Sequence, residues 1–334
     1  MRRRLLVYGL LLGLPVAAVA WWCAPLLRRV PAQAWDDNGL WMRRHWLHGE
    51  EHAPVPDLVA ALRAHGIRRI YPFLGPMDPD GWPGWRDAGR IRHYDPAVAG
   101  AFLHAMGVEA PEIKVLPWTG GNLDQDVHLA DAHQRAAYAA HMRQLVAMGA
   151  AGVHLNVEPM PPDTPGYLEL LRAVKAAIGP DAILSVAAYP PKTPLHPFED
   201  VHWSLDYTRE VCEVADDLVV MAYDTGLPVA APYEAQVARW TRDLAATLPP
   251  GACTWSVGLP AYEDDVPWHR PDVETLAHGI AGLRAGLPGE TPAGFTGAAI
   301  YASWTVDQAE WDTWDRDWRG QEPAGLAVPD PADP

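Results

Sequence analysis

Residues 152–159 read GVHLNVEP, and this stretch decides both the fold and the candidate site. Apolar side chains alternate with His154, Asn156 and Glu158, so the three polar residues share one side of an extended chain. Pro159 has no amide hydrogen for a sheet ladder and closes the strand directly after Glu158. The stretch predicts a strand that ends at a carboxylate, although an outer strand with a solvated glutamate has the same alternation.

Short apolar or alternating segments of this kind recur along the chain, and segments with helical periodicity separate them. The predicted strands are Leu40–Trp46, Arg69–Leu74, Ile113–Trp118, Gly152–Glu158, Ile183–Ala188, Leu218–Tyr223, Thr254–Leu259 and Ala298–Ala302. The predicted helices are Pro56–His65, Asp131–Met148, Gly166–Ile178, Tyr207–Ala215, Ala235–Leu248 and Val273–Ala285.

This alternation describes a (β/α)8 TIM barrel over residues 31–319, a fold in which chemistry sits at the carboxyl ends of the strands. A doubly wound open sheet is the alternative, but it usually has fewer parallel strands and a glycine-rich first turn where it binds nucleotide. Trp311, Trp314 and Trp318 have helical spacing and predict the packing face of a closing helix. Residues 320–334 are rich in proline and aspartate and are predicted to be a disordered tail.

The N-terminal residues predict a segment that directs the chain out of the cytoplasm. Arginines at positions 2–4 precede an uncharged run over residues 5–27, which is long enough to cross a bilayer as a hydrophobic helix. The basic start and the small residues 18–20 also fit a secretory signal peptide. We therefore expect residues 1–30 to be a signal anchor or a signal peptide. The barrel is then held at the membrane of the cell envelope, or secreted.

Composition and motif content argue against several classes of function. The formal net charge is −16, which disfavours nucleic acid as a partner because phosphate binding needs clustered lysine and arginine. The sequence has no metal-ligand spacing and no glycine-rich nucleotide loop, so we expect neither a metal nor a cofactor. Cys212 and Cys253 could pair in an oxidising compartment, but their spacing carries no framework signal and favours isolated buried thiols.

Two strand ends resemble motifs of glycoside hydrolase family 18, the chitinase-like barrels. The fourth strand of that family ends in Asp-Gly-x-Asp-x-Asp-x-Glu. Residues 151–158 match its glycine and its terminal glutamate, Glu158, but replace all three aspartates. Residues 221–224, Met-Ala-Tyr-Asp, match the Met-x-Tyr-Asp of the sixth strand.

Three further strand ends extend the resemblance over most of the barrel, from about Leu40 to Trp304. Residues 114–121 are similar to a third strand that ends in Ser-x-Gly-Gly, with Trp118 at the serine position. Residues 258–262 are similar to the Gly-x-Pro-x-Tyr of the seventh strand. By alignment, Tyr301 falls at the end of the eighth strand, where the family has the tryptophan on which the sugar stacks. Trp304 is close by in the sequence.

The resemblance implies substrate-assisted cleavage of glycans that contain N-acetylglucosamine. Glu158 would protonate the leaving oxygen while the 2-acetamido oxygen of the substrate attacks the anomeric carbon. Asn156 stands where family 18 has the aspartate that orients the acetamide. The similar family 85 endo-β-N-acetylglucosaminidases also have an asparagine two residues before their catalytic glutamate. Tyr223 would bond the acetamide group, and Asp224 would contact the sugar. Asn156→Asp should then be tolerated, whereas a large loss would indicate asparagine-specific chemistry.

The remaining candidates are predicted to bind substrate. His154 would either hydrogen-bond Asn156 and contact the substrate region, or pack in the barrel interior. Eight aromatic residues fall at or beyond predicted strand ends, and about half of them should stack on sugar rings: Trp82, Trp85, Trp118, Trp203, Tyr262, Trp268, Tyr301 and Trp304.

Three hypotheses of function follow from these residues. The first is an exported glycosidase that acts on a carbohydrate polymer or oligosaccharide, with Glu158 as its acid. The second is a catalytically inactive barrel that binds carbohydrate or serves as an envelope scaffold, because every aspartate of the fourth-strand motif is replaced. The third is a glycosidase with two catalytic carboxylates, for which Asp224 is the partner of Glu158.

Overall fold

The computed structural model describes residues 35, 37–50, 53–87 and 90–330. The predicted signal anchor or signal peptide, residues 1–30, lies outside these ranges. Over the residues that are described, no helix combines the length and the apolar character that crossing a membrane requires.

Parallel strands close into a barrel, as the sequence predicted. The strands are β1 (Asn38–Met42), β2 (Ile67–Pro76), β3 (Gly84–Asp87), β4 (Arg90–His93), β5 (Lys114–Val115), β6 (Trp118–Asn122), β7 (Gly152–Glu158), β8 (Ile183–Ala188), β9 (Asp217–Met221), β10 (Thr254–Pro260) and β11 (Phe295–Tyr301). β1 pairs in parallel with both β2 and β11, which closes the sheet. β5 and β6 together occupy the third position, interrupted at Pro117, while β3 and β4 form a separate antiparallel hairpin.

Helices follow the strands and cover the barrel. They are α1 (His45–His48), α2 (Val55–Ala64), α3 (Pro96–Glu109), α4 (Ala132–Ala147), α5 (Tyr167–Ile178), α6 (Leu205–Cys212), α7 (Ala230–Thr247), α8 (Leu276–Gly286) and α9 (Gln308–Thr313). The six predicted helices are all present. The predicted first strand was too long, because the chain leaves β1 at Met42 and turns into α1.

The sequence analysis missed helix α3, in which apolar residues occur on the exposed side as well as on the buried side. Its start is nevertheless marked in the sequence, because the Asp95 side chain accepts a hydrogen bond from the Ala97 amide at 2.8 Å. Pro96 occupies the first helical position, where a missing amide hydrogen costs nothing. The Asp-Pro pair was therefore the available signal for this helix.

The alternation in β7 separates two layers of the core. Val153, Leu155 and Val157 are buried in the large cluster that the barrel shares with its helices. His154 faces the barrel axis, where its ring contacts Trp41 with centroids 5.5 Å apart. This orientation directs Asn156 and Glu158, the next residues on the same face, toward the mouth of the barrel.

Cys212 and Cys253 form a disulfide bond, which corrects the prediction of isolated buried thiols. Cys212 is the last residue of α6, and Cys253 directly precedes β10. Strand β9 follows α6 and pairs with β10, so the topology brings the two Cα atoms to 5.4 Å. The prediction was wrong because residue spacing in one sequence does not reveal this adjacency.

Loss of this disulfide is expected to lower the free energy of unfolding by about 3–4 kcal/mol, because the bond closes a loop of 41 residues in the unfolded chain. The measurement is urea unfolding of the protein with and without reductant, beside a Cys212→Ala/Cys253→Ala double variant. Reductant should shift the parent toward the double variant and leave that variant unchanged. Identical midpoints for the oxidised parent and the double variant would contradict the expectation.

The C-terminal tryptophans close the amino end of the barrel, as their spacing predicted. Trp311, Trp314 and Trp318 are all buried, on α9 and the π-helical turn that follows it. The Trp314 indole donates to the His65 carbonyl at 3.0 Å, and the Trp318 indole donates to Asn38 Oδ1 at 2.9 Å. This stripe belongs to the core and is not a sugar platform.

Residues 320–330, part of the predicted disordered tail, lie against the barrel instead. Asp330 is buried and accepts hydrogen bonds from the Trp46 indole at 2.8 Å and from the Arg43 amide at 3.0 Å. The Ser303 hydroxyl also donates to it. The expectation of disorder was wrong as far as Asp330, because composition does not reveal an anchoring carboxylate.

Candidate active site

The carboxyl ends of the strands surround three adjoining cavities, and Glu158 lines two of them. The largest has a volume of about 850 Å³ and extends from Glu158 toward the loops after β8 and β9. A second, of about 340 Å³, lies over β6 and β7. A third, of about 300 Å³, lies between the ends of β9, β10 and β11. Glu158 therefore stands where a ligand that spans the mouth would pass.

Asn156 and Glu158 interact directly, as their spacing on one face of β7 allows. The Asn156 amide nitrogen Nδ2 donates to Glu158 Oε2 at 3.1 Å. Asn156 Oδ1 is buried and accepts no hydrogen bond from the described residues. Gly120 lies so close to the backbone of Asn156 that a Cβ there would collide with it, which explains why β6 carries glycine at this point. The pair thus presents an acid beside an unused acceptor.

Tyr189 is a second partner of Glu158, and the sequence analysis missed it. Its hydroxyl donates to Glu158 Oε1 at 3.2 Å. It follows β8 directly and lines the largest cavity. The available signal was its place after the predicted strand Ile183–Ala188, with Pro190 next.

The surroundings of Glu158 raise the pKa of its carboxyl group. Burial in the cleft is the largest cause, and the hydrogen bonds from Asn156 and Tyr189 oppose it. The negative charge of Asp224 adds to the increase. A carboxyl that holds its proton closer to neutral pH is suited to general acid catalysis.

Tyr189→Phe is expected to raise the pKa of Glu158 further, because the lost hydrogen bond favours the ionised carboxylate. If Glu158 is the acid, the alkaline limb of the pH–activity profile moves upward by about one pH unit or less. The measurement is kcat/KM against pH for parent and variant. Tyr207→Phe, in which a buried hydroxyl away from Glu158 is removed, serves as the control. A downward shift for Tyr189→Phe would contradict the expectation.

His154 does not reach the cleft, which corrects its prediction as a substrate contact. Its side chain is fully buried, and its Nδ1 lies 2.9 Å from the Ser185 hydroxyl, which donates to Asp217 at 2.8 Å. Burial lowers the pKa of His154 to about 3, so the imidazole is neutral. Of the two roles considered for His154, packing in the barrel interior is the observed one.

Tyr223 and Asp224 enter the site from the end of β9. The Tyr223 ring stacks on that of Tyr301, with centroids 5.5 Å apart and planes inclined by 18°. The Tyr262 hydroxyl donates to Asp224 Oδ1. Asp224 lines both the largest cavity and the 300 Å³ cavity, so it stands at their junction.

The predicted sugar-binding aromatics divide between cleft and core. Trp118 lines the 340 Å³ cavity, whereas Tyr262, Tyr301 and Trp304 line the 300 Å³ cavity. Trp203 is buried instead, and its indole donates to the Met160 carbonyl at 2.8 Å. Its position after a strand was therefore insufficient to indicate exposure.

Two exposed aromatics flank the largest cavity. Trp268 is 59% exposed and Phe198 is 60% exposed, and both line its walls. Trp268 was among the aromatics expected near the cleft. Phe198 was not, because no pattern distinguishes it within the loop after β8. Within the described ranges, no three His, Cys, Asp or Glu side chains are arranged to hold a metal ion.

Solved structures with the same fold include a spore cortex-lytic enzyme and chitinases. The spore cortex-lytic enzyme SleL of Bacillus cereus has a TM-score of 0.57 at 13% identity, over 87% of this chain and 76% of SleL. A family GH18 chitinase from Cycas revoluta has a TM-score of 0.52 at 14% identity, over 79% and 94% of the two chains. A class V chitinase from Pseudomonas fluorescens Pf-5 has a TM-score of 0.52 at 12% identity, over 83% and 98%.

The chain has the chitinase-like barrel fold. This confirms the resemblance that the strand-end motifs indicated, at the level of architecture. No family model and no curated protein matches the sequence. At such identities the likeness establishes the fold alone, and the case for an activity depends on the site residues.

Proposed function

We propose that this protein is a glycosidase that cleaves glycans containing N-acetylglucosamine, with Glu158 as its general acid. One observation carries the proposal. Asn156 donates to Glu158 through Nδ2, while its buried Oδ1 has no partner among the described residues. A buried acceptor without a partner is costly, and the N–H of a substrate acetamide would satisfy it beside the acid.

The proposed reaction uses the acetamide as its nucleophile. Asn156 Oδ1 accepts the acetamide N–H and turns the carbonyl oxygen toward the anomeric carbon. That oxygen forms a bond to the anomeric carbon as the glycosidic bond breaks, and Glu158 transfers its proton to the leaving oxygen. Water then attacks the anomeric carbon of the oxazolinium ion and breaks its bond to the acetamide oxygen, while the Glu158 carboxylate takes the proton of the water.

Asp224 and Tyr223 would hold the sugar at the reacting carbon. The raised pKa of Glu158 owes part of its increase to the charge of Asp224, which therefore supports the acid as well. Asp224 already accepts from Tyr262, and His269 Nδ1 lies 3.5 Å from it. A carboxylate held in this way fits an orienting role better than that of the nucleophile in a two-carboxylate mechanism.

The substrate class is supported by the cleft and by the structural neighbours. The Cycas revoluta chitinase is known in complexes with allosamidin, and its mutants in complexes with (GlcNAc)3 and (GlcNAc)4. Here the exposed rings of Trp268 and Phe198 line the largest cavity, and such rings present flat apolar faces to sugars. We propose a carbohydrate polymer or oligosaccharide as the partner.

An inactive carbohydrate-binding barrel remains the second candidate. Asn156 brings no negative charge to oppose the oxazolinium cation, and His154, at another aspartate position of the motif, is buried and neutral. These two residues favour binding without turnover. Glu158 argues against an inactive barrel, because a binding site has no need for a carboxyl group with a raised pKa.

We propose that the barrel works outside the cytoplasm, attached to the membrane or secreted. The Cys212–Cys253 disulfide supports this location, because such bonds persist in oxidising compartments. The uncharged run over residues 5–27 after three arginines is the second support. The full-length chain in the membrane fraction of its host would indicate an anchor, whereas a chain shortened at its N-terminus in the medium would indicate a cleaved leader.

Hydrolysis of matched fluorogenic substrates tests the activity. The purified protein should cleave a chitobiose or chitotriose glycoside and leave the cellobiose and cellotriose glycosides intact, because glucose lacks the acetamide group. Equal cleavage of both series would contradict acetamide assistance. Binding of chito-oligosaccharides without cleavage would favour the inactive barrel.

A further inference from the structure

Two buried ionisable side chains, His269 and Glu274, lie next to Asp224 and outside the three cavities of the cleft. His269 and Glu274 both belong to the loop between β10 and α8, and both side chains are buried. His269 Nδ1 lies 3.5 Å from Asp224 Oδ1 and 3.7 Å from Glu274 Oε2, so it stands between two carboxylates. Neither residue lines a cavity described above.

Glu274 also holds the backbone that follows Asp224. Its carboxylate accepts from the Thr225 amide at 3.1 Å, from the Thr225 hydroxyl at 3.1 Å and from the Gly226 amide at 2.9 Å. Asp224 has a φ of 59°, in the left-handed region that a residue other than glycine seldom adopts. The bonds to Thr225 and Gly226 fix the chain just after this turn, so they set the direction of the Asp224 side chain.

His269 is positioned to be a cation. Its Nε2 donates to the Tyr262 carbonyl at 3.1 Å, which leaves Nδ1 to face Asp224 and Glu274. Burial lowers the pKa of His269, but the two carboxylates outweigh it and raise the pKa to about 9. The Glu274 carboxylate is fully buried, and without this cation it would carry a large desolvation cost.

Other charged or titratable groups around His269 do not replace it as the cation. The Tyr262 ring stacks on the imidazole with centroids 3.8 Å apart. Arg270 pairs with Asp265 at 3.2 Å, on the exposed side of the loop. Tyr233 of α7, which lies near Glu274, donates its hydroxyl to the Ala222 carbonyl at 2.9 Å.

We propose that His269 and Glu274 are positioning residues, a buried imidazolium–carboxylate pair that orients Asp224 toward the sugar. The proposal rests on the proposed function, in which Asp224 contacts the substrate. Glu274 holds the imidazolium and the backbone, the imidazolium faces the Asp224 carboxylate, and Tyr262 bonds the same carboxylate oxygen from the cleft side. Neither positioning residue touches the substrate.

The charge of His269 is tested without any sugar. NMR titration of the histidine ring protons in the full chain, assigned with His269→Asn, should give a midpoint near pH 9. Glu274→Gln should lower that midpoint by about one pH unit or more, because one of the two carboxylates loses its charge. A midpoint at or below the ordinary histidine value near 6.5 would overturn the proposal.

The positioning role is tested by sugar binding in the Glu158→Gln background, where the catalytic carboxyl no longer titrates. Chitotetraose affinity should be constant from pH 6 to 8 and then weaken about 10-fold as His269 loses its proton. The added His269→Asn change should weaken binding at pH 7 by a similar factor and remove the pH dependence. His278→Asn is the matched control, since His278 pairs with Glu234 instead.

The outcomes separate this proposal from the function on which it rests. Binding that is tight and independent of pH from 6 to 10 would overturn the positioning role while the glycan site stands. An absence of chitotetraose binding at every pH, with a His269 midpoint near 9, would contradict the glycan site and leave the charged pair as a structural feature.

Discussion

The Glu158→Gln variant is expected to lose turnover of N-acetylglucosamine glycosides by about 10²–10⁴-fold while it keeps its fold and its affinity for sugar. Glutamine has nearly the same volume and can still accept from Tyr189 or bond Asn156, but its amide cannot give a proton to the leaving oxygen. The measurements are kcat/KM on chitobiose and chitotriose glycosides, circular dichroism, and calorimetric titration with chitotetraose.

Glu290→Gln is the matched control for this substitution. Glu290 is exposed in the loop before β11, at the opposite end of the barrel from Glu158. Its replacement should leave kcat/KM unchanged. Retention of activity in Glu158→Gln, with Glu290→Gln also active, would exclude Glu158 as the acid.

The Glu158→Gln substitution is also expected to change the thermal stability, and the direction of this change follows from the pKa of Glu158. The folded state raises the pKa of Glu158, so the protonated side chain is favoured there and the ionised one is penalised. The stability that the parent gains from this group is present below the unfolded pKa and is lost as pH rises through the folded pKa. Glutamine does not ionise. The Tm difference, variant minus parent, should therefore increase as pH rises from about 4 to 8.

The sequence predicted the barrel well wherever one strand shows its own pattern. The alternation over β7 predicted the two faces of this strand and its end at Glu158. Helix α3 escaped prediction because apolar residues also occur on its exposed side, so the cap at Asp95 is the clearer signal. A pattern within one segment thus predicts the structure of that segment, and a segment without a clear pattern is missed on its own.

Pairings between distant residues could not be predicted in the same way. The Cys212–Cys253 bond, the hydroxyl of Tyr189 and the bonds of Glu274 all depend on which strands are neighbours and where each loop turns. A single sequence gives the order of the strands but not the distances between their ends. The sequence therefore predicted the residues on the strand of Glu158, but not Tyr189 and Glu274, which support the site from other loops.

The replacement of the motif aspartates has two separate structural consequences. His154 belongs to a buried polar chain in which Ser185 donates to Asp217, while Arg69 and Thr254 also donate to Asp217. This chain lies in the barrel interior and does not include Asn156. Asn156 therefore acts on Glu158 without a charged neighbour on its own strand, and Asp224 is the anion whose charge reaches Glu158.

Asn156→Ala is expected to lower kcat/KM on N-acetylglucosamine glycosides by about 10²-fold, the second large effect. The variant loses the Nδ2 bond to Glu158 and the Oδ1 acceptor for the acetamide. A substrate whose acetamide is no longer oriented seldom reaches the attack geometry. Asn122→Ala is the control, because Asn122 also lines the cleft but makes no side-chain bond to Glu158 among the described residues. Equal loss in the two variants would argue against a specific role for Asn156.

Asn156→Asp then separates the two chemistries that an asparagine here permits. The aspartate restores the charge of the family 18 motif at a position where Nδ2 now lies 3.1 Å from the Glu158 carboxylate. Two carboxyl groups this close share a proton, so the pKa of Glu158 rises and the alkaline limb of the activity profile should move upward by about one pH unit or more. Turnover should be retained or increased. A loss as large as that of Asn156→Ala would mean that the reaction requires the amide group of asparagine at this position.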